Sequence, residues 1–208
     1  MEKLYNLFIN CLDARYTHTE IGGSYAVKAD NDTLYLFFQW SYGITDWLFN
    51  FFFLKKKIEP YEEMGQKWVV HSGFSKVWDS IKHNIEDLIL DERYKKIVIV
   101  GYSHGGAIAT LCHEFVWFNR PDLRESLEGY GFGSPRVVGR ETPFEIKERW
   151  AHFHVIRNIG DIVTHLPPKF TGYMDIGQLI EIGKKGKYSP IDAHRESSYM
   201  DELQGEEK

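Results

Sequence analysis

A chain of 208 residues has the size of one domain and can bury a real core, and its 43% hydrophobic and 26% charged residues are those of an ordinary globular protein. A net charge of −5 without a basic stripe speaks against nucleic acid as a partner. Two cysteines, Cys11 and Cys112, are too few for a disulfide framework, and 15% aromatic residues point to a heavy core or an apolar binding surface.

No repeat, low-complexity tract or Pro/Gly linker divides the sequence, so a single domain over 1–208 is expected. The first residues, Met1 to Asn6, lack a basic region followed by an apolar stretch, which argues against a signal peptide and for a cytoplasmic location. The most apolar run, Trp47 to Leu54, is too short to cross a bilayer, so no transmembrane segment is expected.

In chain order, Lys3 to Leu12 place Leu4, Leu7, Phe8, Cys11 and Leu12 at helical spacing. Ser24–Lys28 and Leu34–Phe38 read as strands around the turn signal Asp30-Asn31-Asp32. Phe51–Ile58 is a further strand candidate, and Ser75–Leu90 carries Val77, Trp78, Ile81, Ile85, Leu88 and Ile89 on one helical face. Lys96–Val100 is a short β-branched run suited to a strand buried on both faces, and it stops at Gly101. Gly106–Asn119 is helical and ends before Pro121. Leu127–Phe132 and His152–Arg157 are strands with a helix, Glu141–Trp150, between them. Alternating strands and helices predict an α/β domain with a mostly parallel central sheet flanked by helices. Asp201 to Lys208 reads as a frayed acidic tail.

The chemistry concentrates at Gly101-Tyr102-Ser103-His104-Gly105, a G-x-S-x-G pentapeptide with a buried strand before it and a helix after it. Such a turn projects the serine hydroxyl from the sheet edge. Glycines stand at its ends because side chains there would collide with neighbouring strand and helix. The helix start turns its amide groups and positive dipole end toward the serine, with the backbone N–H of His104 placed for a developing oxyanion.

The pentapeptide and the blocks around it resemble the class 3 lipases, the fungal-type triacylglycerol lipase family of the α/β-hydrolase superfamily. Gly101-Tyr-Ser-His-Gly-Gly-Ala-Ile-Ala-Thr-Leu111 is similar to G-H-S-L-G-G-A-x-A-x-L, Phe132-Gly-Ser-Pro-Arg-Val137 to F-G-x-P-R-V, and Val70-His-Ser-Gly-Phe74 to V-H-x-G-F. Asn158-Ile-Gly-Asp161-Ile-Val163 followed by Leu166-Pro-Pro168 resembles N-x-x-D-x-V-x-x-L-P-P, and Phe38-Gln-Trp-Ser41 with Asp46-Trp47 stands where the family has F-R-G-T and a D-W pair. Two departures are plain. Gln39-Trp40 replace the family's Arg-Gly before the oxyanion Ser/Thr, and Tyr102 and His104 replace its His and Leu.

A serine nucleophile needs a base, and the base an orienting carboxylate; in this fold type both follow the serine in the chain. Asp161, Asp175 and Asp192 are the carboxylate candidates, and His113, His152, His154, His165 and His194 the bases. His152 and His154 alternate along a strand and share one face, a conceivable metal pair without an evident third ligand. The resemblance implies Asp161 and His194, with Ser41 and His104 as the oxyanion hole. It also implies a pocket or lid near Trp40, Tyr42 and Trp47, with Tyr102 as a pocket wall. Ile44, Leu48 and Phe49 belong to the same aromatic stretch, whose other reading, with Phe51-Phe52-Phe53, is a core strand. The expected activity is ester hydrolysis on acylglycerols or other lipid esters, with transient lipid-surface contact and no metal or organic cofactor. A catalytically silent hydrolase-fold protein that binds lipid or a protein partner is the alternative.

Overall fold

The computed structural model describes residues 1–40, 55–58 and 68–205. Helix α1 (Glu2–Leu12) opens the chain with Leu7, Phe8 and Cys11 buried, as its spacing predicts. A two-residue strand β1 (Thr17–His18) leads to β2 (Gly23–Asp30) and β3 (Thr33–Trp40), which pair antiparallel through the turn at Asn31-Asp32. Asn31 has φ +53°, the left-handed conformation that asparagine tolerates. A separate two-stranded ladder joins β4 (Lys55–Ile58) to β5 (Trp68–His71). Next come α2 (Ser72–Leu90), β6 (Lys96–Tyr102), α3 (His104–Asn119) and β7 (Leu127–Phe132). The chain continues with α4 (Phe144–Lys147), β8 (Phe153–Asn158), β9 (Gln178–Ile182) and α5 (Glu196–Gly205).

The main sheet has the order β1-β2-β3-β6-β7-β8-β9, and from β3 to β9 every pairing is parallel. Two apolar layers cover it. On one face α2 and α3 press Phe74, Trp78, Ile81, Ile108, Leu111 and Phe115 against Leu34, Leu36, Ile97 and Ile99. On the other, α1 and α5 bring Phe8, Tyr199 and Leu203 onto Val98, Val100, Tyr102 and Phe132. Alternation along β6 thus feeds both cores, and for this reason its sequence is apolar without a break.

Three expectations are corrected. Glu141–Trp150 is not one helix: Pro143 lacks an amide donor and disfavours helix before it. Helix begins only at Phe144 and becomes a 3-10 turn over Glu148–Trp150, while Thr142 accepts a hydrogen bond from Val69 N. The acidic end is helical through Gly205, with Tyr199 and Leu203 buried, so what was read as a tail closes the core. Helix α2 starts at Ser72, because the His71 side chain caps it by accepting from the amides of Gly73 and Phe74. The sequence also hid β9, whose residues are mostly exposed at the sheet edge.

The buried interior contains ionisable groups that this packing holds neutral. Burial pushes the Cys11 thiol up to about 12, and both cysteines are unpaired. His113 is fully buried against Phe153, and neither ring nitrogen has a hydrogen-bond partner among the described residues. Burial lowers its pKa to about 3, with nearby His152 and His154 adding to the effect. The folded state therefore binds this proton less readily than the unfolded chain. The stability that follows is complete above the unfolded value near 6.5 and is lost as pH falls from there toward 3. His113→Leu should flatten the decline of the urea midpoint between pH 7.5 and 4.5; equal slopes for the two proteins would show that His113 is not held neutral by the fold.

Candidate active site

Strand β6 ends one residue before Ser103, and α3 starts one residue after it. Ser103 has φ +56° and ψ −123°, a strained conformation for a residue with a side chain. Its amide donates to Phe132 O at 2.8 Å, which ties the turn to β7. A Cβ on Gly101 would stand 2.1 Å from Gly105 O, and one on Gly105 would stand 2.0 Å from Phe38 O, so both glycines let the turn close against α3 and β3.

Two loops at the same edge of the sheet complete the constellation. After β8, Asn158 to Asp161 turn through Gly160 at φ +99°, and Asp161 is fully buried. Before α5, a 3-10 turn over Asp192–His194 presents His194. His194 Nε2 lies 2.9 Å from Ser103 Oγ, and His194 Nδ1 lies 2.8 Å from Asp161 Oδ2. Because an ionised carboxylate only accepts, Nδ1 carries the proton and Nε2 is left to accept from the serine hydroxyl.

The carboxylate is held from three sides. Val163 N donates to Oδ1 at 2.9 Å, and the Tyr199 hydroxyl donates to Oδ2 at 2.7 Å beside His194. Tyr199 Oη in turn accepts from Asn158 N at 3.1 Å, and Asn158 Nδ2 donates to Ala193 O at 2.9 Å, so the Asp161 and His194 loops are cross-linked by side chains. Gly133, at φ +57°, leaves room for the imidazole: a Cβ there would come within 2.9 Å of His194 Cε1. The sequence singled out neither Tyr199 as an Asp161 donor nor Asn158 as a loop tie, because both act through tertiary contacts that no local spacing encodes.

The remaining candidates fall elsewhere. Tyr102, read as a pocket wall, is buried beside the relay. Strand alternation turns it with Val98 and Val100 into the core under α1, where its ring stacks on His194 at 5.5 Å and its hydroxyl donates to His194 O. The His104 side chain is buried edge-on to Phe74 at 5.0 Å, and burial, helped by nearby His71, lowers its pKa to about 3. Only its main chain, the first residue of α3, faces the turn chemistry. Gln39, at the first departure from the family pattern, donates to Glu196 of α5 at 3.4 Å. Trp40 ends β3, and its side chain lies outside the described residues, as do Ser41, Tyr42, Ile44, Trp47, Leu48, Phe49 and Phe51–Phe53. Asp175 is engaged by Arg136 and Lys169, and Asp192 by Arg195 and Ser189, so neither competes for the imidazole. Among the described residues no group of three His, Cys, Asp or Glu is placed to hold a metal, and no helix is long and apolar enough to cross a membrane.

The architecture matches that of fungal lipases, which have the α/β-hydrolase fold. The Rhizomucor miehei triacylglyceride lipase structure superimposes with a TM-score of 0.74 at 22% identity, over 88% of this chain and 80% of that one. The family pattern Lipase (class 3) matches residues 35–171, and the chain belongs to the class 3 lipase family. Among curated relatives, a lipase of Rhizomucor miehei is 29% identical over 151 residues, covering 70% of this chain and 40% of the relative. A secreted mono- and diacylglycerol lipase of Fusarium solani is 29% identical over 166 residues, covering 76% and 46%. The chain thus spans less than half the length of these two relatives. The expected cytoplasmic location is corrected by the second of them, which is named as secreted. That expectation leaned on the composition of the first residues and on the lack of a long apolar run.

Proposed function

We propose that this protein is a serine carboxylic-ester hydrolase acting on acylglycerols or related lipid esters, with Ser103 as nucleophile, His194 as general base and Asp161 as the orienting carboxylate. The observation that carries the reading is the continuous Ser103–His194–Asp161 hydrogen-bond relay, 2.9 and 2.8 Å long, on a strained strand-to-helix turn. Membership of the class 3 lipase family and relatives named as lipases support the same substrate class.

In this mechanism Nε2 takes the Ser103 proton as Oγ attacks the ester carbonyl. The tetrahedral oxyanion is met by the His104 amide at the start of α3, and Ser41 is the proposed second donor. His194 returns the proton to the departing alcohol, leaving an acyl-serine. Water, deprotonated by the same imidazole, then attacks the acyl carbon, and His194 gives that proton to Ser103 Oγ as the acid departs. A silent hydrolase-fold protein would have no use for the intact relay, so the catalytic reading is preferred.

The test is intact-mass labelling with a fluorophosphonate. The wild type should gain one adduct, on Ser103, Ser103→Ala none, and His194→Ala an adduct formed at least about 10³-fold more slowly. A folded wild type that gains no adduct, or an adduct retained in Ser103→Ala, sinks this assignment. Transient contact with a lipid surface belongs to the same proposal and would appear as faster turnover of an ester once it aggregates.

A further inference from the structure

A cleft partly open to solvent lies beside the relay but apart from Ser103, between α3, the segment after β7, and strands β8 and β9. Its apolar side is formed by Val155, Met174, Ile176 and Leu179, and its polar side by Arg157 and Thr164.

The two arginines of the polar side differ in how they are paired, and Asp175 lines the same cleft. Arg136, which also lines the cleft, is satisfied by Asp175 at 2.6 Å and by the carbonyls of His165 and Pro167. Asp175 is further shared with Lys169 at 2.6 Å, so one carboxylate faces two cations. Arg157 is different. Its side chain is 12% exposed, its Nε is buried without a hydrogen bond among the described residues, and its one ion pair is a long 3.8 Å approach to the half-exposed Glu181. A largely buried guanidinium whose Nε has no acceptor is costly. The two arginines, after burial, also hold His165 below its ordinary pKa, so that this histidine adds no charge of its own.

From this arrangement we infer that the cleft is a second binding site, for a carboxylate bearing a short to medium alkyl chain. The carboxylate pairs with the Arg157 guanidinium, and the chain lies along Val155, Ile176 and Leu179. Arg157 and Val155 alternate on β8 to face this side of the sheet, while Ile156 between them packs into the opposite core. The site also touches the relay: Thr164 donates to Asp161 O at 2.9 Å, one residue from Val163, whose amide holds Asp161 Oδ1. If the hydrolase reading holds, the acid released by the enzyme has this chemistry, and that identification of the source rests on that reading. The binding inference does not.

The experiment titrates the full chain calorimetrically with sodium octanoate, after Ser103 has been phosphorylated by a small dialkyl fluorophosphate, with loss of fluoride, so that the cleft at the serine is filled. Saturable one-to-one binding is expected, with no saturable binding of octyltrimethylammonium. Octanoate should bind about tenfold or more weakly to Arg157→Met, the loss of a charge-assisted pair, and similarly weakly to Val155→Phe, which fills the apolar side. Absence of saturable octanoate binding, or undiminished binding by folded Arg157→Met, overturns the inference. If the fluorophosphate does not react with Ser103, the hydrolase reading fails, and the same titration of unreacted wild type and Arg157→Met still decides the cleft.

Discussion

Asp161→Asn should lower kcat for p-nitrophenyl butyrate by about 10⁴-fold while the protein keeps its fold. The reason lies in how the carboxylate is surrounded. Oδ1 accepts from Val163 N, and Oδ2 accepts from both the Tyr199 hydroxyl and His194 Nδ1. An amide has one acceptor oxygen and one donor NH2. With its oxygen toward His194, the NH2 would face the Val163 amide, two donors 2.9 Å apart in a fully buried place. With the NH2 toward His194 that conflict disappears, since the Tyr199 oxygen can accept. Nδ1 must then accept, which puts the imidazole proton on Nε2, pointing at Ser103. The favoured orientation therefore selects the tautomer that cannot take the serine proton. The fluorophosphonate reaction should slow in parallel, because it needs the same proton transfer. Thermal unfolding monitored alongside separates this from loss of structure. A folded Asp161→Asn protein within tenfold of the wild-type rate would remove Asp161 from the proposed mechanism.

The parts of this site that were readable in the sequence are those fixed by local backbone geometry. Lys96–Val100 had to be a strand, and Gly106–Asn119 a helix, so the turn between them was defined by its own residues. Asp161 and His194 were reached by the expected chain order and by family resemblance rather than by spacing, because 33 residues and an entire strand separate them. Contacts made across the fold were not readable at all. Asn158 stood in a family motif and Tyr199 followed the late histidine, but the contacts they make to Asp161 and Ala193 arise only when α5 docks on the sheet. Tyr102 was assigned to a pocket from its place beside the serine, yet strand alternation sends its ring to the opposite core. The acidic composition of Asp201–Lys208 suggested a solvated end. Two apolar residues one helical turn apart, Tyr199 and Leu203, are enough to bury one side of that helix. Gln178–Ile182, apolar at Leu179, Ile180 and Ile182, is missed for a different reason: at the edge of the sheet it needs only one residue, Ile182, fully inside, so its burial pattern is weak.

Gly105→Ala should cost the protein more stability than any other single methyl group added to its helices, about 3 kcal/mol or more. An alanine is the better helix former, so local propensity predicts the reverse. The outcome is decided by packing. The new Cβ would lie 2.0 Å from Phe38 O and 2.3 Å from Phe38 C, and both are backbone atoms of a strand hydrogen-bonded on each side. No rotamer can relieve such a contact. Helix α3 would have to retreat from β3 by more than an ångström, opening the layer formed by Ala107, Ile108 and Leu111. Because α3 starts directly after Ser103, the same displacement would carry the His104 amide and the serine out of line with His194. Activity should fall even in whatever fraction remains folded. Gly205→Ala is the matched control: nothing lies within 4 Å of a Cβ there, and its urea midpoint should equal or slightly exceed that of the wild type. If Gly105→Ala unfolds at the wild-type midpoint and retains full ester turnover, then the close approach of α3 to β3 is not what holds the serine in place, and the strained turn must be maintained by its link to Phe132 instead.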